Sequence, residues 1–128
     1  MYLADTNIFL ECLLEQEKSV SAKSFLQKTT TDQVYISDFS LLFSIGIILF
    51  RLKRKKLFLQ FLNDLTINSM EILSLDKSGL AEVETLSEKY NLDFDDTYQY
   101  LIAKTYQLEI VSFDKGLDKT DIKRIQPS

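Results

Sequence analysis

The chain opens with a short apolar run, residues 1–4, that stops at Asp5. Apolar residues then recur at Ile8, Phe9, Cys12 and Leu13, the spacing of one helix face. Strand, acid, helix is the expected order. The stretch KSVSAKSFLQKTTT, residues 18–31, predicts a second helix closed by a polar turn, and QVYIS, residues 33–37, a buried strand. Residues 39–50 carry no charge and run directly into Arg51, Lys53, Arg54, Lys55 and Lys56. A helix needs roughly 20 apolar residues to cross a bilayer, so this uncharged run is too short for that. With Ser40 and Ser44 as its only polar interruptions, it predicts a helix buried on nearly every side.

Beyond the basic run, Leu57, Phe58, Phe61, Leu62 and Leu65 mark another amphipathic helix, and MEILSLD, residues 70–76, alternates as a strand. Residues 77–91 and 95–108 predict one helix each. EIVSFD, residues 109–114, is a strand that ends on an acid as the first one does, and IKRIQ, residues 122–126, is a candidate edge strand. Strands alternating with helices, joined by connections too long for hairpins, predict an α/β fold with a mostly parallel sheet covered on both faces. Length, the absence of any linker-like tract and three glycines in 128 residues predict one domain over residues 1–128.

In such a sheet ligands bind beyond the carboxyl ends of the strands. Asp5 and Asp114 are expected there, and a third acidic group, Asp93, Asp95 and Asp96, opens the helix before the last long strand. Each acid also has an ordinary structural use: Asp5 as a helix cap, Asp95 and Asp96 beside a helix N-terminus, Asp114 in the turn FDKG. Gathered at one sheet edge, however, they would repel one another unless a cation or shared protons offset the charge. A divalent metal site explains them together.

Composition narrows the chemistry. The chain has no histidine and one cysteine, which excludes a Ser-His-Asp triad, histidine-ligated metals and a cysteine-rich zinc site. Any metal must be held mainly by oxygen, which suits Mg²⁺ or Mn²⁺; a reaction run by carboxylates or by a lysine, or no chemistry at all, also fits this composition. A net charge of −4 argues against a general nucleic-acid coat, while Lys53, Arg54, Lys55 and Lys56 form a local basic patch that reads either as a solvated helix end interacting with the macrodipole or as a contact for RNA phosphates or an acidic partner. The start lacks the basic and long apolar regions of a signal peptide, and the lone Cys12 reads as core filler, so the expected location is the cytoplasm. Tyr98, Tyr100 and Tyr106 are expected to pack structurally rather than to form a base-stacking platform.

These motifs together resemble the PIN domain, a family of small metal-dependent ribonucleases that includes VapC-like toxins. LADTNIFL supplies Asp5, Thr6 and Asn7 after the first strand, FDDTYQYLIAK places Asp96 at a helix start, and VSFDKGLD supplies Ser112 and Asp114. The resemblance spans nearly the whole chain. It implies a three-layer α/β/α fold around a mostly parallel sheet of four or five strands. It implies Asp5, Asp96 and Asp114 as catalytic metal ligands, Asn7, Ser112 and Asp95 in support, and Mg²⁺ or Mn²⁺ as cofactor for hydrolysis of RNA. It also implies homodimers and inhibition by an antitoxin protein.

One position departs from the family pattern. A glutamate is expected early in the helix after the second strand, and with Ile36 and Ser37 in register that position is Phe43; residues 39–63 contain no acid. Asp38 lies five residues earlier, roughly 140° around a helix, and is a poor replacement. Two readings follow. One is a working ribonuclease with weakened metal affinity; the other is a catalytically degenerate PIN domain that binds RNA or protein. The expected face around Phe43 carries Phe39, Ser40, Gly46 and Ile47 and borders the metal site.

Overall fold

A computed structural model describes residues 1–128. Five short strands, β1 (Tyr2–Ala4), β2 (Val34–Ser37), β3 (Ile72–Leu73), β4 (Glu109–Val111) and β5 (Arg124–Ile125), form one sheet in the order β3-β2-β1-β4-β5. Every pairing is parallel, with Tyr2 opposite Val34 on one side and Glu109 on the other. The residues of IKRIQ do form the edge strand.

Side chains alternate across a strand, so neighbouring residues feed opposite cores. Ala4 and Val111 join Ile8, Phe9, Ala22, Ile45, Leu49 and Phe61 on one face, whereas Leu3 and Ile110 join Leu101, Ile102 and Leu117 on the other. Leu3, Ala4 and Ile110 are all fully buried, as central strands of a parallel sheet covered on both faces must be. Helices α1 (Thr6–Leu13), α2 (Ser19–Lys28), α3 (Ile47–Arg51) and α4 (Lys55–Ile67) cover the first face. Helices α6 (Val83–Tyr90) and α7 (Phe94–Tyr106) cover the second, preceded by the short α5 (Lys77–Leu80). The expected three-layer α/β/α fold and parallel sheet are present. The segment expected as one helix over residues 77–91 divides into α5 and α6 at Ala81 and Glu82.

Two expectations for the uncharged run need correction. It does not form one α-helix: Ser40–Gly46 is π-helical and passes into α3. Nor is it buried on nearly every side, because Leu42, Phe43 and Phe50 are at least half exposed, while Ser40, Leu41, Ile45 and Leu49 face inward. Composition cannot separate an apolar face that is buried from one left at the surface. Gly46 closes the wide turn where space is short: a Cβ there would stand 3.2 Å from the Leu41 carbonyl oxygen and 3.4 Å from the Phe58 ring. No helix is long and apolar enough to cross a membrane.

Candidate metal centre

The sheet reverses its winding between β1 and β4, and a crevice opens beyond the carboxyl ends of strands at such a point. Asp5 follows β1 there and Ser112, Phe113 and Asp114 follow β4. Asp5 serves two purposes at once. It caps α1, with Oδ1 accepting from the Thr6 N–H at 2.8 Å, and it anchors a buried polar web. Its Oδ1 also accepts from Gln99 Nε2 at 3.0 Å, and its Oδ2 accepts from Ser112 Oγ at 2.8 Å. Asn7 Nδ2 donates to Ser112 Oγ at 3.0 Å, and Asn7 Oδ1 accepts from the Phe113 N–H at 3.2 Å. Ser112 Oγ further accepts from the Asp114 N–H, which ties the two strand ends together.

The other acids come from α7 and the turn after β4. Asp93 caps α7 through the Asp96 N–H, Asp95 and Asp96 lie in its first turn, and Asp114 caps a 3₁₀ turn through the Gly116 N–H. The structural uses and the gathering of charge therefore coexist. Asp5, Asp93, Asp95, Asp96 and Asp114 all line one cavity of about 310 Å³, with Thr6, Asn7, Leu10, Phe39, Ser44, Ile48 and Gln99 completing its wall. No lysine or arginine lines it. Burial, reinforced by Asp93, Asp114, Asp5 and Asp95, pushes the Asp96 carboxyl up to about 6. Asp95 is raised too, by burial first and then by Asp93 and Asp5. Asp95 and Asp96 cost free energy to ionise in this setting, and a cation among the acids would remove that cost.

The donor set fits a hard divalent cation. All available ligands are oxygens, and the buried Gln99 Oε1 has no hydrogen-bond partner in the protein. No three of the acids stand close enough together in this structure to hold one ion by themselves.

The π-helical turn changes the register expected for the missing glutamate. Phe43 is absent from the cavity wall, is 61% exposed, and packs its ring on Phe39 at 5.8 Å. Ser44 takes the wall position, five residues from Phe39 and four from Ile48, because a π turn spreads i and i+5 onto one face where an α turn uses i and i+4. Of the face expected around Phe43, Phe39 does line the cavity. Ser40 is buried and accepts from Gln99 Nε2 and Thr6 Oγ1. Gly46 and Ile47 do not line it. Asp38 lies outside it as well, accepting from Tyr98 Oη at 2.7 Å.

Gln99 escaped the sequence reading, although its spacing held a signal: it follows Asp96 by three residues, so both project from one side of α7. Lys53, Arg54, Lys55 and Lys56 lie apart from the acids and line their own surface depression with Leu57 and Gln60. None of the four is in a salt bridge, and Lys55 Nζ stands 5.4 Å from the Phe50 ring centre. Tyr98 and Tyr100 are buried as expected, and the half-exposed Tyr106 donates to the Ser74 carbonyl.

No curated protein matches the chain by sequence. Among solved structures, it resembles FitAB bound to an IR36 DNA fragment with a TM-score of 0.80 and 18% identity, covering 99% of this chain and 95% of that one. FitAcB from Neisseria gonorrhoeae superposes with a TM-score of 0.73 at 20% identity, covering 98% and 96% of the two chains. A toxin–antitoxin complex from Klebsiella pneumoniae gives 0.68 at 18% identity, covering 90% and 88%. Identities this low speak to the fold alone. The model of the PIN domain family matches residues 2–123, nearly the full length and all the acids gathered beyond β1 and β4, and the chain belongs to that family.

Proposed function

We propose that this chain is a Mg²⁺- or Mn²⁺-dependent endoribonuclease, the toxin of a toxin–antitoxin pair, acting in the cytoplasm as one domain. The observation that carries the reading is the acid-lined cavity with no basic residue in its wall, in which Asp96 is held up to about 6. Asp5, Asp96 and Asp114 hold the cation, and Asp95 adds charge beside them. Ser112 and Asn7 fix the Asp5 carboxylate through their hydrogen bonds. When bound, the cation supplies an activated water and charge stabilisation at the scissile phosphate. Lys53, Arg54, Lys55 and Lys56 draw the RNA backbone from outside the cavity.

A toxin–antitoxin complex among the structural neighbours supports an antitoxin partner. The exposed Leu42, Phe43 and Phe50 offer an apolar surface to such a partner or to a second copy of the chain. The test is cleavage of RNA by the purified protein with Mn²⁺ and with a chelator. Cleavage that needs the metal and disappears in Asp96→Asn is expected; cleavage unchanged in Asp96→Asn would exclude this centre.

A second reading has one observation in its favour, the lack of any acid on the π-helical wall, where Ser44 stands. In that reading the domain binds RNA or protein without catalysis. It requires that Mn²⁺ produce no binding heat in calorimetry.

A further inference from the structure

We propose that Gln99 is an outer partner of the metal centre, its Oε1 accepting a hydrogen bond from the hydration shell of the cation. The inference rests on the metal-dependent reading above and adds a neutral residue to a site otherwise read as acids.

Three observations converge on it. Gln99 is 2% exposed and lines the acidic cavity. Its Nε2 donates to Asp5 Oδ1 and to Ser40 Oγ, both at 3.0 Å, so β1, the π turn and α7 all bear on this amide. Its Oε1 is the buried side-chain polar atom that the protein leaves without a partner.

The orientation of the amide is determined by chemistry. Turning it over would set Oε1 3.0 Å from a carboxylate oxygen, acceptor against acceptor, and would strip Asp5 of a donor. Oε1 is thereby pinned in a place where no protein donor reaches it. Buried acceptors normally find a partner, and exceptions mark places where a ligand or water is missing. A hydrated cation provides outward-pointing O–H donors, and Mg²⁺ keeps several of its waters when protein carboxylates are few. With Ser44 on the π-helical wall, Gln99 contributes an oxygen in a centre that lacks the family's second acid. The same side chain orients Asp5 with one end and meets the hydration shell with the other.

Two substitutions separate these ends. Gln99→Met removes both, whereas Gln99→Glu keeps an oxygen and loses the N–H donor. The measurements are Mn²⁺ titration of the full chain by calorimetry and thermal unfolding with and without Mn²⁺, neither of which requires turnover. Gln99→Met is expected to weaken Mn²⁺ binding by about tenfold or more, as loss of an outer partner in a metal site does. Gln99→Glu is expected to bind Mn²⁺ at least as tightly as the unaltered protein. It should also melt lower without metal, because a second carboxylate then faces Asp5, and show a larger rise in melting temperature when Mn²⁺ is added. Equal weakening in both variants would show that only the Nε2 contact to Asp5 matters and would overturn the proposal, as would unchanged affinity in both. Absence of Mn²⁺ binding by the unaltered protein would overturn the metal-dependent reading itself, and this proposal with it.

Discussion

Ser44 faces the acidic cavity while its neighbour Phe43 turns outward onto the Phe39 ring, a divergence produced by the π turn over Ser40–Gly46. The position able to carry an acid on the π-helical wall is therefore Ser44. Ser44→Glu is expected to tighten Mn²⁺ binding by roughly tenfold or more, since affinity in such sites follows the number of carboxylates. Phe43→Glu is expected to leave it nearly unchanged, because that side chain reaches solvent. Calorimetry on the two variants checks this, and tightening by Phe43→Glu alone would show that the α-helical register applies.

The Asp96 carboxyl gives the metal-free protein a definite pH dependence. Its folded value of about 6 lies above the roughly 3.9 of an unfolded aspartate, so the folded state holds the proton more tightly. The resulting stability is present in full below about pH 4 and is lost as pH rises through about 6. Asp96→Asn should therefore stabilise the metal-free protein near pH 7.5 by on the order of 1 kcal/mol, the full shift being discounted for partial exposure, and by little near pH 4. Urea unfolding at both pH values measures the difference. Saturating Mn²⁺ should erase the advantage, because only the unaltered protein gains the ion.

Much of this centre is legible in the sequence because strands ending on acids and an acid-rich helix start are local patterns. The topology of a parallel sheet brings Asp5, Asp114 and the acidic group Asp93, Asp95 and Asp96 together, and the resemblance to the PIN domain picks out Asp96 among the last three. The π turn is different: the residues 40–46 have the composition of an ordinary apolar helix, and the partners they meet, Phe58 beside Gly46 and Thr6 and Gln99 on Ser40, come from elsewhere in the chain. Gln99 was hidden for a related reason. An amide in a helix is usually a surface residue, and only the contact between α7 and Asp5 buries it. The exposed apolar side of residues 42–50 was equally invisible, since hydropathy does not distinguish a core face from an interface.

Ser112 joins Asp5, Asn7 and the Asp114 backbone in one fully buried hydroxyl. Ser112→Ala deletes the donor to Asp5 Oδ2 and leaves the Asp114 N–H and Asn7 Nδ2 without that acceptor. A loss of about 1–3 kcal/mol in unfolding free energy is expected, the usual cost of leaving buried polar groups unpaired. Ser112→Cys, a weaker donor of similar shape, should fall between the two in denaturant midpoint.

Lys53, Arg54, Lys55 and Lys56 have no acidic partner within the chain, so their charge is available to an external anion. Phosphate contacts release condensed counterions, and single-stranded binding loses roughly 0.7 of a logarithmic unit per logarithmic unit of salt for each contact. Replacing Lys55 and Lys56 by Gln is expected to weaken RNA binding and, with both touching phosphate, to make the salt dependence shallower by about 1.4 units. The binding assay should use Ca²⁺, or Asp96→Asn protein, so that cleavage does not deplete the RNA. A weakened affinity with an unchanged salt slope would mean that these residues act through the fold of α4 rather than through the substrate, and circular dichroism of the double variant would then show a loss of helix.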